Sequence, residues 1–305
     1  MKKILFSVIV AVIAVMGHDA SAAMKMKPFI LASKQAGDLA SVTADVTAKL
    51  TGAGFEIAGT YSPYATVNLI IVTNDALKQA AAKSEKGGFG AAQRVSITNH
   101  NNEIQVAYTN PRYMAGVYRM QGDLSFAAEA LEKALGNVQE YGMADAVSYD
   151  DLRDYHYMIS MPYFDDLHQL SRFKTHADAV ASVEKSLAAG KMGITKVYRI
   201  DIPGKDEVVF GVAMNGAKGD GDMQDDAFLM SEIDFKDIRS SAHLPYEILV
   251  SDHRVQALSA EFRIAINFPD LSMMGANSFM NIMECPTTIK AALTQAAGNH
   301  WEKLE

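Results

Sequence analysis

The chain has 305 residues, of which 49% are hydrophobic and 21% charged, and a formal net charge of −8. An acidic chain without basic clusters offers no electrostatic footprint to a phosphate backbone, which excludes nucleic acid as a partner. A single cysteine, Cys285, allows no internal disulfide, and the length suits about two ordinary domains.

Lys2 and Lys3 open the chain, an apolar run from Ile4 to Met16 follows, and Ala20-Ser21-Ala22 forms an A-x-A pattern. Residues 1–22 therefore read as a cleavable secretory signal peptide, because the run is too short to span a membrane. No second long apolar run follows. The mature chain is expected in the periplasm with no integral membrane span.

Residues 24–137 read as a first α+β repeat. Leu39, Val42, Val46 and Leu50 fall on one face of a helix closed by Gly52 and Gly54. The stretches "FEIAGTYSPY" and "VNLIIVTND" read as strands, and "QRVSITNHNNEIQVAYT" as a hairpin turning at His100-Asn101-Asn102. Pro111 then ends the strand, and "LSFAAEALEKALG" supplies a closing helix. Residues 138–172 are too aromatic for a flexible linker, and "YHYMISMPYF" is expected to strap across one or both domains.

Residues 173–305 repeat the same order. Ala179, Val183 and Leu187 make the helix face, closed by Gly190, and "MGITKVYRID" answers "FEIAGTYSPY", pairing Ile194 with Ile57 and Tyr198 with Tyr61. "EVVFGVAMNG" gives the next strand, and "YEILVSDHRVQALSAEFRIAI" reads as a hairpin turning at Asp252-His253-Arg254. On that reading "EFRIAINFPDLSMM" matches "EIQVAYTNPRYMAG", Pro269 matches Pro111, and "PTTIKAALTQAAG" matches the first closing helix. The expectation is an α+β protein of two duplicated domains, each an antiparallel sheet with flanking helices, packed as a pseudo-dimer.

The hairpin-then-proline segments "VSITNHNNEIQVAYTNPRYMA" and "LPYEILVSDHRVQALSAEFRIAINFPDL" resemble the domain-of-unknown-function family numbered 302, a bacterial and archaeal family sometimes found in tandem. The resemblance implies small α+β domains that pair. A Leu-Pro step often leads into the family's first hairpin strand; Leu244-Pro245 matches it, while the first repeat has Ala91-Ala92. It implies no catalytic residues.

Two constellations suggest metal chemistry. Asp220, Asp222, Asp225 and Asp226 in "NGAKGDGDMQDDAF" present oxygens to a hard cation, although the spacing lacks the twelve-residue calcium-loop pattern. His156, Met158, Met161 and His168, with Met273, Met274, Met280, Met283 and Cys285, supply soft and imidazole ligands suited to Cu(I). The competing readings are a solvated acidic loop and adaptable core filling. No C-x-x-C-H attaches haem, and no cofactor is evident; non-covalent haem held by His or Met stays open. Cys285, at the start of the last helix, is either a nucleophile or a small buried hydrophobe.

His243, Tyr246, Glu247 and His253 in "SSAHLPYEILVSDHR" are the polar and aromatic residues expected to line a groove beside the sheets. No serine-nucleophile elbow, phosphate-cradling glycine loop or H-E-x-x-H occurs in the sequence. The leading expectation is an exported, non-enzymatic binding or accessory protein with its site between or beside the repeats, taking a small molecule or another exported protein. The alternatives are a metal-handling protein and an enzyme of unrecognised type using His243, Glu247 or Cys285.

Overall fold

The computed structural model describes residues 24–302. The expected signal peptide lies outside them. In the first half, β1 (Lys25–Met26) and β2 (Phe29–Gln35) lead into α1 (Leu39–Gly52), followed by β3 (Glu56–Tyr61), β4 (Val67–Thr73) and α2 (Asp75–Lys83). The hairpin β5 (Gln93–His100) and β6 (Glu103–Thr109) follows, then α3 (Pro111–Val117), α4 (Ser125–Leu135) and β7 (Gln139–Tyr141).

Local chemistry explains these elements. Asp38 caps α1 by accepting from Ser41 N, and Val42, Val46 and Leu50 are buried at every fourth residue. Burying each such side chain contributes roughly 1.5–3 kcal/mol. The β5–β6 turn is Asn101-Asn102, both residues at positive φ, which suits a two-residue hairpin. Pro111 occupies the first turn of α3, where its missing N–H costs no helical hydrogen bond.

The connecting stretch contains β8 (Val147–Ser148), paired with β1, and α5 (Tyr149–Arg153). Its Phe164 packs on Phe89 and Tyr118 of the first half and on Phe262 of the second. Its last five residues form β9 (His168–Arg172). In the second half, α6 (His176–Ala188), β10 (Ile194–Asp201), β11 (Glu207–Met214) and α7 (Asp226–Ile233) precede the hairpin of β12 (Tyr246–Ser251) and β13 (Arg254–Ala257). Then come α8 (Ala260–Asn267) and α9 (Cys285–Ala296).

The sheets have matching topology. The first runs β3-β4-β5-β6-β2-β7 and the second β10-β11-β12-β13-β9, with antiparallel neighbours throughout. Bulges also correspond: the register shifts between Ile57 and Gly59 and between Lys196 and Tyr198. The fold is α+β, with α1 and α4 on one sheet, α6 and α9 on the other, and the remaining sheet faces packed together.

Residues at matching register positions touch one another across this interface. Arg94 pairs with Ile71 and Glu247 with Gly211, next to the equivalent bulges, and Arg94 Nη1 donates to Glu247 Oε1 at 2.8 Å. A Cβ on Gly59 would lie 3.0 Å from Cβ of Tyr198, its positional counterpart. Contact between residues at matching register positions is the geometry of an approximate two-fold axis relating the two sheets.

Three sequence expectations need correction. The repeat unit begins with a strand, β2 or β9, rather than with a helix. "EFRIAIN" is helical: Ser259 Oγ accepts from Phe262 N and caps α8, so the hairpin strand stops at Ala257 and Pro269 follows a helix. Phe262, Ile264 and Ile266 alternate like strand residues, but Arg263, Ala265 and Asn267 between them are buried too, so burial on all sides erased the helical period. The bulges also set the alignment, so Tyr198 corresponds to Gly59 rather than to Tyr61.

Candidate functional site

The four residues expected to line a groove are separated by strand alternation. His243 is fully buried, with Nε2 3.3 Å from Tyr246 Oη and its ring edge-on to Tyr246 and Phe268. Burial, followed by the nearby Arg263 and Arg94 charges, pushes its pKa well below the ordinary histidine range, which keeps it neutral. Glu247, the next residue along β12 from Tyr246, points to the opposite face and meets Arg94. His253 lies at the β12–β13 turn, where its carbonyl accepts from Phe173 N.

Glu247 belongs to a buried charge cluster instead. Its Oε2 lies 3.4 Å from Arg263 Nη1, and Arg263 also donates to Tyr118 Oη and to the carbonyls of His243 and Pro245. Arg94 and Arg263 share one carboxylate, and Tyr118 Oη accepts from both guanidinium groups, while Arg263 Nε is buried without a hydrogen-bond partner.

The aspartates of the acidic segment act separately. Asp225 caps α7 by accepting from Ala227 N and Phe228 N. Asp226 is buried and accepts from Tyr61 Oη at 2.5 Å and Met214 N at 2.8 Å, tying α7 to both sheets. Burial raises its pKa to about 7, against the lowering effect of those donors. Asp220 and Asp222 are exposed. Among the described residues, no group of three or more His, Cys, Asp or Glu side chains is placed to hold a metal ion.

The soft ligands are dispersed as well. His168 lies in β9, and the His156 ring packs tilted against Tyr163 at 4.3 Å between ring centroids. Met161 and Met273 line one apolar pocket, whereas Met158, Met274, Met280 and Met283 are exposed. Cys285 is buried with Sγ 3.7 Å from Met223 Sδ, and desolvation pushes its thiol up to about 12. Burial outweighs the helix N-terminus at this residue.

The most developed concavity was not anticipated from the sequence. A cleft of about 450 Å³ opens between the first sheet and the α7 segment. Tyr64 and Thr66 from the β3–β4 turn and Thr98, Asn99 and His100 at the end of β5 form one wall. Ser231, Asp234 and Arg239 form the other. A second polar cleft of about 360 Å³ lies at the matching place in the other half, where Glu207 and Ser251 occupy the register positions of Val67 and Thr98.

Arg239 is firmly positioned in the first cleft. Its N–H donates to Gln105 Oε1 at 2.9 Å, its carbonyl accepts from Tyr141 Oη at 2.7 Å, and Gln105 Nε2 donates to the neighbouring Asp237 carbonyl at 2.7 Å. One arm of its guanidinium donates to the Asp234 carbonyl and the other lies 3.2 Å from His100 Nδ1. Among the described residues, no carboxylate lies within ion-pairing distance of that guanidinium. Desolvation and then the Arg239 charge lower the His100 pKa.

Asp234 closes the base of the cleft. Its carboxylate accepts from Ser240 N at 2.8 Å and Ser241 Oγ at 3.1 Å, and Ser241 also meets Thr98 Oγ1 at 3.2 Å. Burial raises its pKa to about 6. The site therefore combines a fixed, half-buried guanidinium with hydroxyl and amide groups, an arrangement that can receive an oxyanion.

Among the described residues, no helix is long and apolar enough to cross a membrane. Searches of protein-family models, curated proteins and solved structures returned no match for this chain.

Proposed function

We propose that this chain is an exported, non-enzymatic binding protein whose cleft between the two halves takes a small anionic ligand. The observation carrying this reading is the Arg239 guanidinium, anchored through its backbone and lining an open cleft with no carboxylate in ion-pairing distance among the described residues. A half-buried guanidinium that forms no such ion pair keeps donor capacity for an incoming carboxylate or phosphate. His100, Tyr64 and Thr66 supply further hydrogen-bonding groups around it.

The amino-terminal sequence supports export, and the matching order of strands supports descent from one duplicated unit. The resemblance to the family numbered 302 belongs to the same proposal. In this reading the halves diverged, and the α7 segment of the second closes a ligand site on the first.

Thermal denaturation in inorganic phosphate and in a series of mono- and dicarboxylates tests the proposal. At a hundredfold excess over Kd, an occupied site adds about 2.7 kcal/mol to unfolding stability. The expected result is stabilisation by at least one anion that Arg239→Gln removes. A flat response across the series, or stabilisation unchanged in Arg239→Gln, overturns it. Binding is expected to weaken as pH rises through about 6, because Asp234 ionises there and adds negative charge beside the ligand.

A further inference from the structure

The molecule has a second surface with a different chemistry. Seven of the twelve large hydrophobic side chains exposed among the described residues fall in two segments, 158–163 and 273–283. Ile159 is 91% exposed and Met274 72%, more than normal surface scatter demands. The segments adjoin: Tyr157 Oη donates to the Leu271 carbonyl at 3.2 Å, and Tyr157, Met161, Phe268, Leu271, Met273 and Phe279 line a shared apolar pocket.

The chain around the two segments contributes only acidic charge. No lysine or arginine occurs from residue 154 to 171 or from 264 to 289, while these stretches carry Asp154, Asp165, Asp166, Asp270 and Glu284. Arg119 and Lys236 approach from other elements, and each is paired there, with Asp165 at 3.0 Å and Asp270 at 3.8 Å. Glu261 lines the pocket with Oε2 buried and lacking a hydrogen-bond partner.

We propose that this surface docks a basic amphipathic helix of a partner protein. Flexible, polarisable methionines adapt to varied apolar side chains, and the exposed methionines and Ile159 offer an apolar strip to the helix's apolar face. The acidic surroundings pair with lysines on its flanks, while Glu261 gives one of them a buried acceptor. A second copy of this acidic chain lacks the required positive charge, and an anionic lipid surface is repelled.

A synthetic amphipathic Leu/Lys helix of about 18 residues, or five turns, is the probe. It is titrated into full-length mature chain carrying methyl-labelled methionine and followed by NMR. The controls are a scrambled peptide of identical composition and a Leu/Glu helix. The expected result is shifts confined to Met158, Met161, Met273, Met274, Met280 and Met283, with buried Met214 and Met230 unmoved. The variant Ile159→Gln/Met273→Gln/Met274→Gln is expected to weaken affinity about tenfold or more, and Asp166→Lys/Glu284→Lys to weaken it independently. Arg239→Gln should leave it unchanged, which separates this surface from the cleft.

Equal binding of the scrambled peptide, binding of the Leu/Glu helix, or undiminished binding by the triple variant overturns the proposal. The same methyl shifts on self-association, or on adding neutral phosphatidylcholine vesicles while the basic helix leaves them unmoved, also overturn it and identify the other occupant.

Discussion

At the residue scale, the Arg94–Glu247–Arg263 cluster shows how two similar halves acquire a specific interface. Equivalent positions carry opposite charges, Arg94 on one sheet and Glu247 on the other, and all three groups are buried. Removing one partner strands the others. Glu247→Ala is expected to cost about 3–5 kcal/mol, as for other broken buried pairs. Replacing all three with Met or Leu should cost less than that single change, since apolar packing removes the desolvation penalty along with the attraction. Urea denaturation of both variants checks the order; a milder loss in Glu247→Ala would mean water reaches the guanidinium groups.

At the element scale, α7 is held to both sheets through one carboxyl. The pKa of Asp226 is raised from 3.8 to about 7, so the folded state holds its proton more tightly than the unfolded chain does. Its contribution is full below the unfolded value and is lost as pH rises through about 7. His243 acts oppositely: its lowered pKa removes stability as pH falls below the ordinary histidine value of 6.5. Comparing wild type with Asp226→Asn cancels the histidine contribution. The asparagine variant is expected to gain stability relative to wild type between about pH 4 and pH 7, following the linkage slope of one group. A constant difference across that range would show that Asp226 titrates at its ordinary value. The helix starts are simpler. Ser259→Ala removes the α8 cap and should lower stability by about 1 kcal/mol, whereas Ser259→Asp should preserve it.

At the scale of the whole molecule, the main hydrophobic core among the described residues contains side chains from both halves, beside a small cluster around Phe29 and Tyr141. The Gly87–Gly90 turn is buried, and Gly88 N donates to Glu207 Oε1 at 2.7 Å across the interface. One cooperative calorimetric transition is therefore expected, with equal calorimetric and van't Hoff enthalpies. Two resolved transitions would show that each half keeps a core of its own. Gly59→Ala tests the closest approach of the halves, because the added Cβ would lie 2.3 Å from the Val197 carbonyl oxygen, a rigid neighbour. A loss of roughly 1–3 kcal/mol is expected from such overpacking.

The sequence by itself determined the α+β class, the two helix faces and the first-half hairpin, because these follow from periods of 3.6 and 2 and from turn residues within a few positions. Val42, Val46 and Leu50 announce their burial in this way, as Asn101-Asn102 announce their turn. Matching order in the two halves was also legible, although "EFRIAIN" read as a strand because its polar residues are buried like its apolar ones. The cleft was not legible. Arg239 becomes a positioned cation only because Gln105 and Tyr141, 134 and 98 residues away, hold its backbone. Such placement depends on how two sheets face one another, and no local spacing encodes that contact.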